Sequence, residues 1–242
     1  MIYEDIKHKI GTLKDRFLGK EFVHFIHVSK TGGTAVKSAL RPCSSTQEHR
    51  IFLHKHPTSV ADIPRGEKIF IAFRDPAKRF ESAFYSRFRK GQPKFYVEWT
   101  EAEEEAFQRF KSPTALAEAL SSSNPETKHA AKEAMGSIRH IRDSYSKWYI
   151  DKKYFLSRHH DILAVGRQER LDDFFQWVTE YLDLPEASLP SEPEKAHKRP
   201  EHFDRGLSDQ ALSNLHQWYS EDYSFLNFCR NNKKLLNYFL PK

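Results

Sequence analysis

Ser29-Lys30-Thr31-Gly32-Gly33-Thr34 gathers a lysine, three hydroxyl side chains and two adjacent glycines within six residues, a combination suited to holding an anion. Glycine lets a ligand approach the main chain closely, and the amides opening a helix have no preceding turn to satisfy them. Lys30 adds a mobile positive charge. The flanks fit this use: Phe22, Val23, Phe25, Ile26 and Val28 read as a strand covered on both faces, and Ala35, Val36, Ala39 and Leu40 form one apolar helix stripe. Glu21 to Leu40 is therefore strand, loop and helix. An ordinary βα turn has the same composition, so both readings stand at this point. Residue order narrows the chemistry. A nucleoside-triphosphate loop reads G-x-x-x-x-G-K-[ST], with lysine after the last glycine, whereas Lys30 precedes both glycines and no magnesium arrangement is spelled out.

The same logic recurs downstream. Lys68 to Phe73 is a second apolar strand, ending in Arg74-Asp75-Pro76. Asp75 suits an N-cap and Pro76 the first helical position, so a helix is expected to about Arg89, with Phe80, Ala83, Phe84 and Phe88 as its apolar stripe. Arg74 falls at the carboxyl end of a strand, where open α/β sheets bind ligands, and Ser82 lies about two turns into the helix on a separate face. An arginine fork with a nearby hydroxyl suits a second phosphate. The alternative is that Arg74 pairs with Asp75 or Glu81.

These units need a scaffold. Ile51 to His54 is a short strand candidate leading into Lys55-His56-Pro57-Thr58, and Ile162 to Gly166 is another, followed through Arg167-Gln168-Glu169 by an amphipathic helix from Leu171 to Leu182. Residues 1–20 read as a packing helix with Ile6, Ile10, Leu13 and Phe17 on one side. Trp99 to Gly136 predicts helical segments broken at Ser-Pro and Ser-Asn-Pro, and Ser137 to Ile150 predicts a basic, aromatic helix. Residues 185–206 form a long proline-rich loop, and Ser208 to Tyr219 and Asp222 to Phe239 close the chain as helices. The expected class is α/β, a parallel sheet flanked by helices. One domain over 1–242 is expected, with a helical insertion at about 92–160 and a helical region at about 207–242.

Composition sets outer limits. The excess of 39 basic over 33 acidic residues, net +6, favours an anionic ligand, yet no zinc-finger spacing, RNA-recognition aromatic signature or dense basic tract points to nucleic acid. Two cysteines, Cys43 and Cys229, are too few for a disulfide framework and fit reduced thiols. No signal-peptide core and no apolar window of membrane-spanning length occurs, so the expectation is a cytoplasmic protein without a transmembrane segment.

Four pieces now stand in one order: HVSKTGGT at 27–34, HKHPT at 54–58, FRDPAKRFESAFY at 73–85 and VGRQERLDDFFQWVTEYLDLP at 165–185. Together they resemble the family of sulfotransferases that use 3′-phosphoadenosine 5′-phosphosulfate (PAPS), especially its carbohydrate-type members, and the resemblance covers most of residues 22–185. It implies a parallel-sheet fold related to nucleotide kinases, PAPS as cosubstrate, 3′-phosphoadenosine 5′-phosphate (PAP) as product and no required metal. Carried over by position, Lys30, Thr31, Gly32, Gly33 and Thr34 resemble the loop holding the 5′-phosphosulfate, and Arg74 with Ser82 the pair gripping the 3′-phosphate. Arg79 stands in the same motif, and local pairing with Glu81 or Asp75 is the alternative reading of its side chain. Arg199, within His197-Lys198-Arg199-Pro200, falls where relatives often close a basic residue over the cofactor.

Sulfuryl transfer needs in-line positioning, neutralisation of the leaving phosphate and a base for the attacking hydroxyl. Lys30 and the loop amides can supply neutralisation. A base titrating near neutrality points to histidine. His54 and His56 lie two apart, which on a strand is one face. The spacing His54-Lys55-His56 resembles the catalytic histidine region of uronyl-type members, and Lys55-His56-Pro57-Thr58 the corresponding motif of bacterial members. His56, common to both, is the expected base and His54 its neighbour or alternate. The expected acceptor is a hydroxyl on a carbohydrate or glycoconjugate. A kinase using ATP and magnesium, and a non-catalytic module binding anionic glycans or nucleotides, are the competing readings.

Overall fold

The computed structural model describes residues 11–93, 95–190, 206–232 and 235. Four strands form one sheet: β1 (Glu21–Ile26), β2 (His49–Leu53), β3 (Lys68–Phe73) and β4 (Ile162–Arg167). Their order is β2-β1-β3-β4 and every pairing is parallel, with Phe25 opposite Leu53 and Phe70, and Phe70 opposite Ala164. The general class expected from the alternating apolar runs is therefore present. Parallel neighbours require crossover segments, and these put apolar cover on both faces of the sheet.

The two faces bury different sets. Val23, Phe25, Phe70 and Ala72 pack under α1 (Gly33–Leu40) and α8 (Leu171–Tyr181) through Val36, Leu40, Phe174 and Val178. Ile26, Ile69, Ile71 and Phe73 pack against the short helices α6 (Ser146–Tyr149) and α7 (Lys152–Ser157) and against α10 (Ser220–Asn231), through Tyr145, Trp148, Phe155 and Phe225. Gly166 of β4 explains its own identity: a Cβ there would lie 2.3 Å from the Phe174 ring.

A third cluster draws on no strand. α2 (Pro76–Phe88) carries Phe80, Ala83 and Phe84 into a core shared with α3 (Glu101–Arg109), α4 (Pro113–Ala119), α5 (Pro125–Ser137) and α9 (Asp209–Trp218). Within the 92–160 stretch, α3 to α5 are helical, as expected, and pack on α2, whereas α6 and α7 cover the sheet.

Two expectations fail. Ser137 to Ile150 is not one helix: α5 ends at Ser137, residues 138–145 are irregular, and His140 and Ile150 have φ of 71° and 73°. The backbone is held by side chains instead, with Arg79 donating to the His140 carbonyl (3.0 Å) and Tyr219 to that of Ile141 (2.9 Å). The leading helix, described over 11–17, does not pack through Leu13 and Phe17, which are 68% and 91% exposed. Ile6 and Ile10 lie outside the described residues, as do most of the 185–206 loop and the last part of the helix expected to Phe239.

Candidate functional site

The loop after β1 is built to hold its amides open. Thr31 is fully buried and its hydroxyl donates to the Val28 carbonyl (3.0 Å), closing the turn from within. Lys30 and Gly32 both take left-handed backbone, φ 66° and 81°. For lysine that conformation costs about 1 kcal/mol, whereas glycine adopts it freely. Gly33 is required for another reason: a Cβ would meet the His27 ring at 2.1 Å. α1 then begins at Gly33 with no side-chain cap at Gly32, so its first-turn amides lack the usual side-chain acceptor.

Cations converge on this loop. Arg74, just past β3, donates from Nη1 to the Lys30 carbonyl (3.4 Å), and its Nε is buried with no hydrogen-bond partner. Its backbone is fixed by Tyr145, whose hydroxyl donates to the Arg74 carbonyl (2.5 Å) and accepts from the Arg74 amide (3.2 Å). Burial lowers the pKa of Lys30 to about 8, with Arg89, Arg74 and Arg79 pressing in the same direction. Among the described residues, no ion pair relieves Lys30, Arg74 or Arg79. The sequence alternative in which Arg74 pairs with Asp75 is therefore absent; Asp75 instead caps α2 by accepting from the Lys78 amide (3.0 Å).

For Arg79 the local-pairing alternative is absent. Arg79 is fully buried, and rather than pairing with Glu81 or Asp75 it donates to the Ser29 carbonyl and hydroxyl (both 3.2 Å) and to the His140 carbonyl, between the rings of Tyr145 and Trp148. It is a strut joining the loop to the irregular segment 138–145. Ser82 is half-buried on α2, and among the described residues no hydrogen bond ties it to Arg74. Arg199 lies outside the described residues.

The two histidines expected to share a face part company, because β2 ends at Leu53 and its alternation ends with it. His54 Nε2 meets His24 Nδ1 (2.8 Å), and His24 Nε2 meets the Glu67 carboxylate (2.7 Å). A carboxylate only accepts, so His24 donates through Nε2, its Nδ1 accepts, and His54 donates through Nε2. Arg16 binds the other Glu67 oxygen at 2.6 Å. Burial, with His24 and Lys37 nearby, lowers the His54 pKa to about 4.

His56 turns the other way. Its Nδ1 lies 3.0 Å from the His27 carbonyl, which can only accept, so Nδ1 carries the proton and Nε2 is left with a lone pair. Trp148 fixes the backbone by donating Nε1 to the His56 carbonyl (2.8 Å). Burial lowers the His56 pKa below its ordinary 6.5, against the His27 hydrogen bond, and Lys37, Arg139 and Lys147 add to the lowering. The ring is therefore a neutral imidazole at neutral pH, with the tautomer a general base needs.

His56 opens onto a cavity of about 710 Å³ whose walls include His27, Lys37, Arg139 and His140. His140 joins the two halves of the site. Its ring centre is 5.5 Å from that of His56, its Nδ1 is buried without a partner, and burial together with Lys30 drives its pKa down to about 2. His27, His140, His24 and Glu67 were not singled out from the sequence. His27 had a usable signal, lying one step of period two beyond the buried Phe25 and within the motif. His140 had none, since its place depends on a left-handed residue in a stretch that reads as helix.

The cation cluster and the cavity can bind a phosphate-rich anion beside a neutral base. Among the described residues, no group of three or more His, Cys, Asp or Glu side chains is placed to hold a metal ion, and no helix is long and apolar enough to cross a membrane. No family model matches the chain, and no curated protein matches it.

Proposed function

We propose that the chain is a sulfotransferase that moves a sulfuryl group from PAPS to an acceptor hydroxyl, on a carbohydrate or glycoconjugate. The observation carrying this reading is the pairing of an uncapped α1 N-terminus, ringed by Lys30 and Arg74, with a proton-accepting Nε2 on His56 across His140. A ligand anionic at both ends fits the loop and Arg74, whose Nε is a buried donor lacking an acceptor. PAPS supplies the sulfuryl group and a stable phosphate leaving group.

The chain's own residues do the rest. The loop amides and Lys30 hold the reacting phosphosulfate and neutralise charge gathering on the leaving oxygen. Arg74, with Ser82 from α2, takes the 3′-phosphate. His56 Nε2 accepts the hydroxyl proton as the acceptor oxygen bonds to sulfur and the sulfur–phosphate oxygen bond breaks, its electron pair leaving on PAP. Arg79 holds Ser29 and His140 in register, so loop and base keep one geometry. His54 does not line the cavity and is bound up with His24, which favours His56 as base.

The test is thermal stabilisation by PAP against ATP with magnesium, followed by transfer of labelled sulfuryl from PAPS to a panel of hydroxyl compounds. Stabilisation by PAP and labelled product are expected; stabilisation by ATP-magnesium alone would move the reading to a kinase. PAP binding with no transfer to any acceptor would leave a non-catalytic module.

A further inference from the structure

His140 holds the segment 138–145 through its backbone, not through its ring. Its carbonyl accepts from Arg79 at 3.0 Å, with φ at 71°. The ring lines the cavity beside His56, and among the described residues no hydrogen bond reaches either of its nitrogens, of which Nδ1 is buried. A polar ring left unpaired inside a fold destabilises it, so the arrangement points to a partner from outside the chain. Burial and the charge of Lys30 push its pKa down to about 2, which keeps the ring a neutral imidazole, with one N–H and one lone pair, at any working pH.

Its position is fixed from two sides. Arg79 Nη2 donates both to the Ser29 hydroxyl (3.2 Å) and to the His140 carbonyl (3.0 Å), so the residue before Lys30 and His140 hang from one nitrogen. Lys30 is near enough for its charge to act on the ring. On the other side the ring stands edge-on to His56, with centres 5.5 Å apart. In-line transfer sets the leaving oxygen, the sulfur and the attacking oxygen close to one line. With the leaving oxygen at Lys30 and the attacking oxygen at His56 Nε2, a side chain beside both lies alongside the sulfur. The non-bridging sulfuryl oxygens are there, and neither Lys30 nor His56 is assigned to them.

Building on the sulfotransferase reading, we propose that His140 is a further catalytic residue, whose Nε2–H donates to a non-bridging oxygen of the sulfuryl group during transfer. In that step the bond from the acceptor oxygen to sulfur forms, the bond from sulfur to the phosphate oxygen breaks with its electron pair leaving on PAP, and the acceptor proton goes to His56 Nε2. His140 neither gains nor loses a proton. That tautomer leaves a lone pair rather than an N–H at the buried Nδ1. A neutral donor suits the place, since another cation would add to the crowding that Lys30 already meets from Arg74, Arg79 and Arg89.

The experiment follows release of labelled inorganic sulfate from PAPS by the full chain, with water as the acceptor, and PAP binding by calorimetry. His140→Ala is expected to lower kcat about 10²- to 10³-fold, while KM for PAPS and PAP affinity stay within about threefold of wild type. Two replacements locate the donor: a glutamine side chain can place an amide N–H where Nε2 stands, and an asparagine side chain where Nδ1 stands. His140→Gln is expected to recover about tenfold or more over His140→Ala, and His140→Asn to stay with it, although asparagine is the better suited of the two to left-handed backbone. Neither limb of the pH profile should move, because the ring does not titrate there. A kcat loss below about threefold in His140→Ala, an equal fall in PAP affinity, recovery by asparagine instead of glutamine, or a shifted acid limb would overturn the inference. Wild-type protein that neither binds PAP nor releases labelled sulfate would overturn it together with the sulfotransferase reading, whereas wild-type release with an unaffected variant removes His140 alone.

Discussion

The loop around Lys30 and the helices α3 to α5 treat polar groups in opposite ways. In the helices, each N-terminus is capped by a side chain from just outside: Thr100, Ser112 and Asn124 accept from the amides of Glu103, Ala115 and Thr127. Glu103 is buried, and its carboxylate is matched by the Arg87 guanidinium and the amides of Thr100 and Arg139. Around the loop, α1 has no side-chain cap, Lys30 sits in a left-handed conformation, Arg74 Nε and His140 Nδ1 are buried without partners, and cations face one another. Buried donors without acceptors and crowded like charges destabilise a fold. Unpartnered buried atoms also occur at His49, Arg50 and Asp222, but at the loop they coincide with an uncapped helix start and crowded cations, a combination that an anionic acceptor from outside the chain would relieve.

Substitutions can break or sharpen this contrast. His56→Ala is expected to lower sulfuryl transfer about 10²- to 10⁴-fold while PAP binding, by calorimetry, stays near wild type; a turnover loss of less than threefold would remove His56 from the chemistry. In the helical region, Glu103→Ala leaves Arg87 buried and unpaired, and urea unfolding should report a loss of about 3–5 kcal/mol.

Lys30→Met is the sharpest comparison, because the two regions predict opposite signs. Removing a crowded cation is expected to raise Tm by about 2–4 °C, equivalent to about 1 kcal/mol, while PAP affinity falls steeply. A drop in Tm would show that Lys30 is structural. Asn124→Ala, a lost cap on α5, should cost about 1 kcal/mol with unchanged transfer.

The pH profile gives the gentlest test. His56 is lowered below 6.5, so its base form is lost only as pH falls through that depressed value, whereas Lys30 loses its charge as pH rises through about 8. kcat/KM for PAPS should therefore be bell-shaped, and the alkaline limb should vanish in Lys30→Met. An alkaline limb that persists in the variant assigns it to another group.

Much of the fold was legible because its signals are local. The apolar runs of β1, β3 and β4, the Asp75-Pro76 start of α2, and the Ser-Pro and Asn-Pro starts of α4 and α5 each follow from a few adjacent residues. The site was legible only in part. Lys30 and Arg74 do meet at the loop, but Arg79, whose role the motif left open, spans to Ser29 fifty positions away. The helix expected through Ser137 to Ile150 failed because Arg79 and Tyr219, remote in sequence, satisfy its carbonyls in a non-helical path.

By itself the sequence determined that a parallel α/β sheet carries two strand–loop–helix units with basic residues at their turns, since periodicity and turn chemistry act over a few residues. The tertiary structure decided which histidine is free. His54 and His56 are alike in spacing and composition, but Glu67 through His24 ties the first, while the His27 carbonyl fixes the second with Nε2 open to the cavity. A tautomer is set by partners brought from distant strands, and no local pattern specifies them.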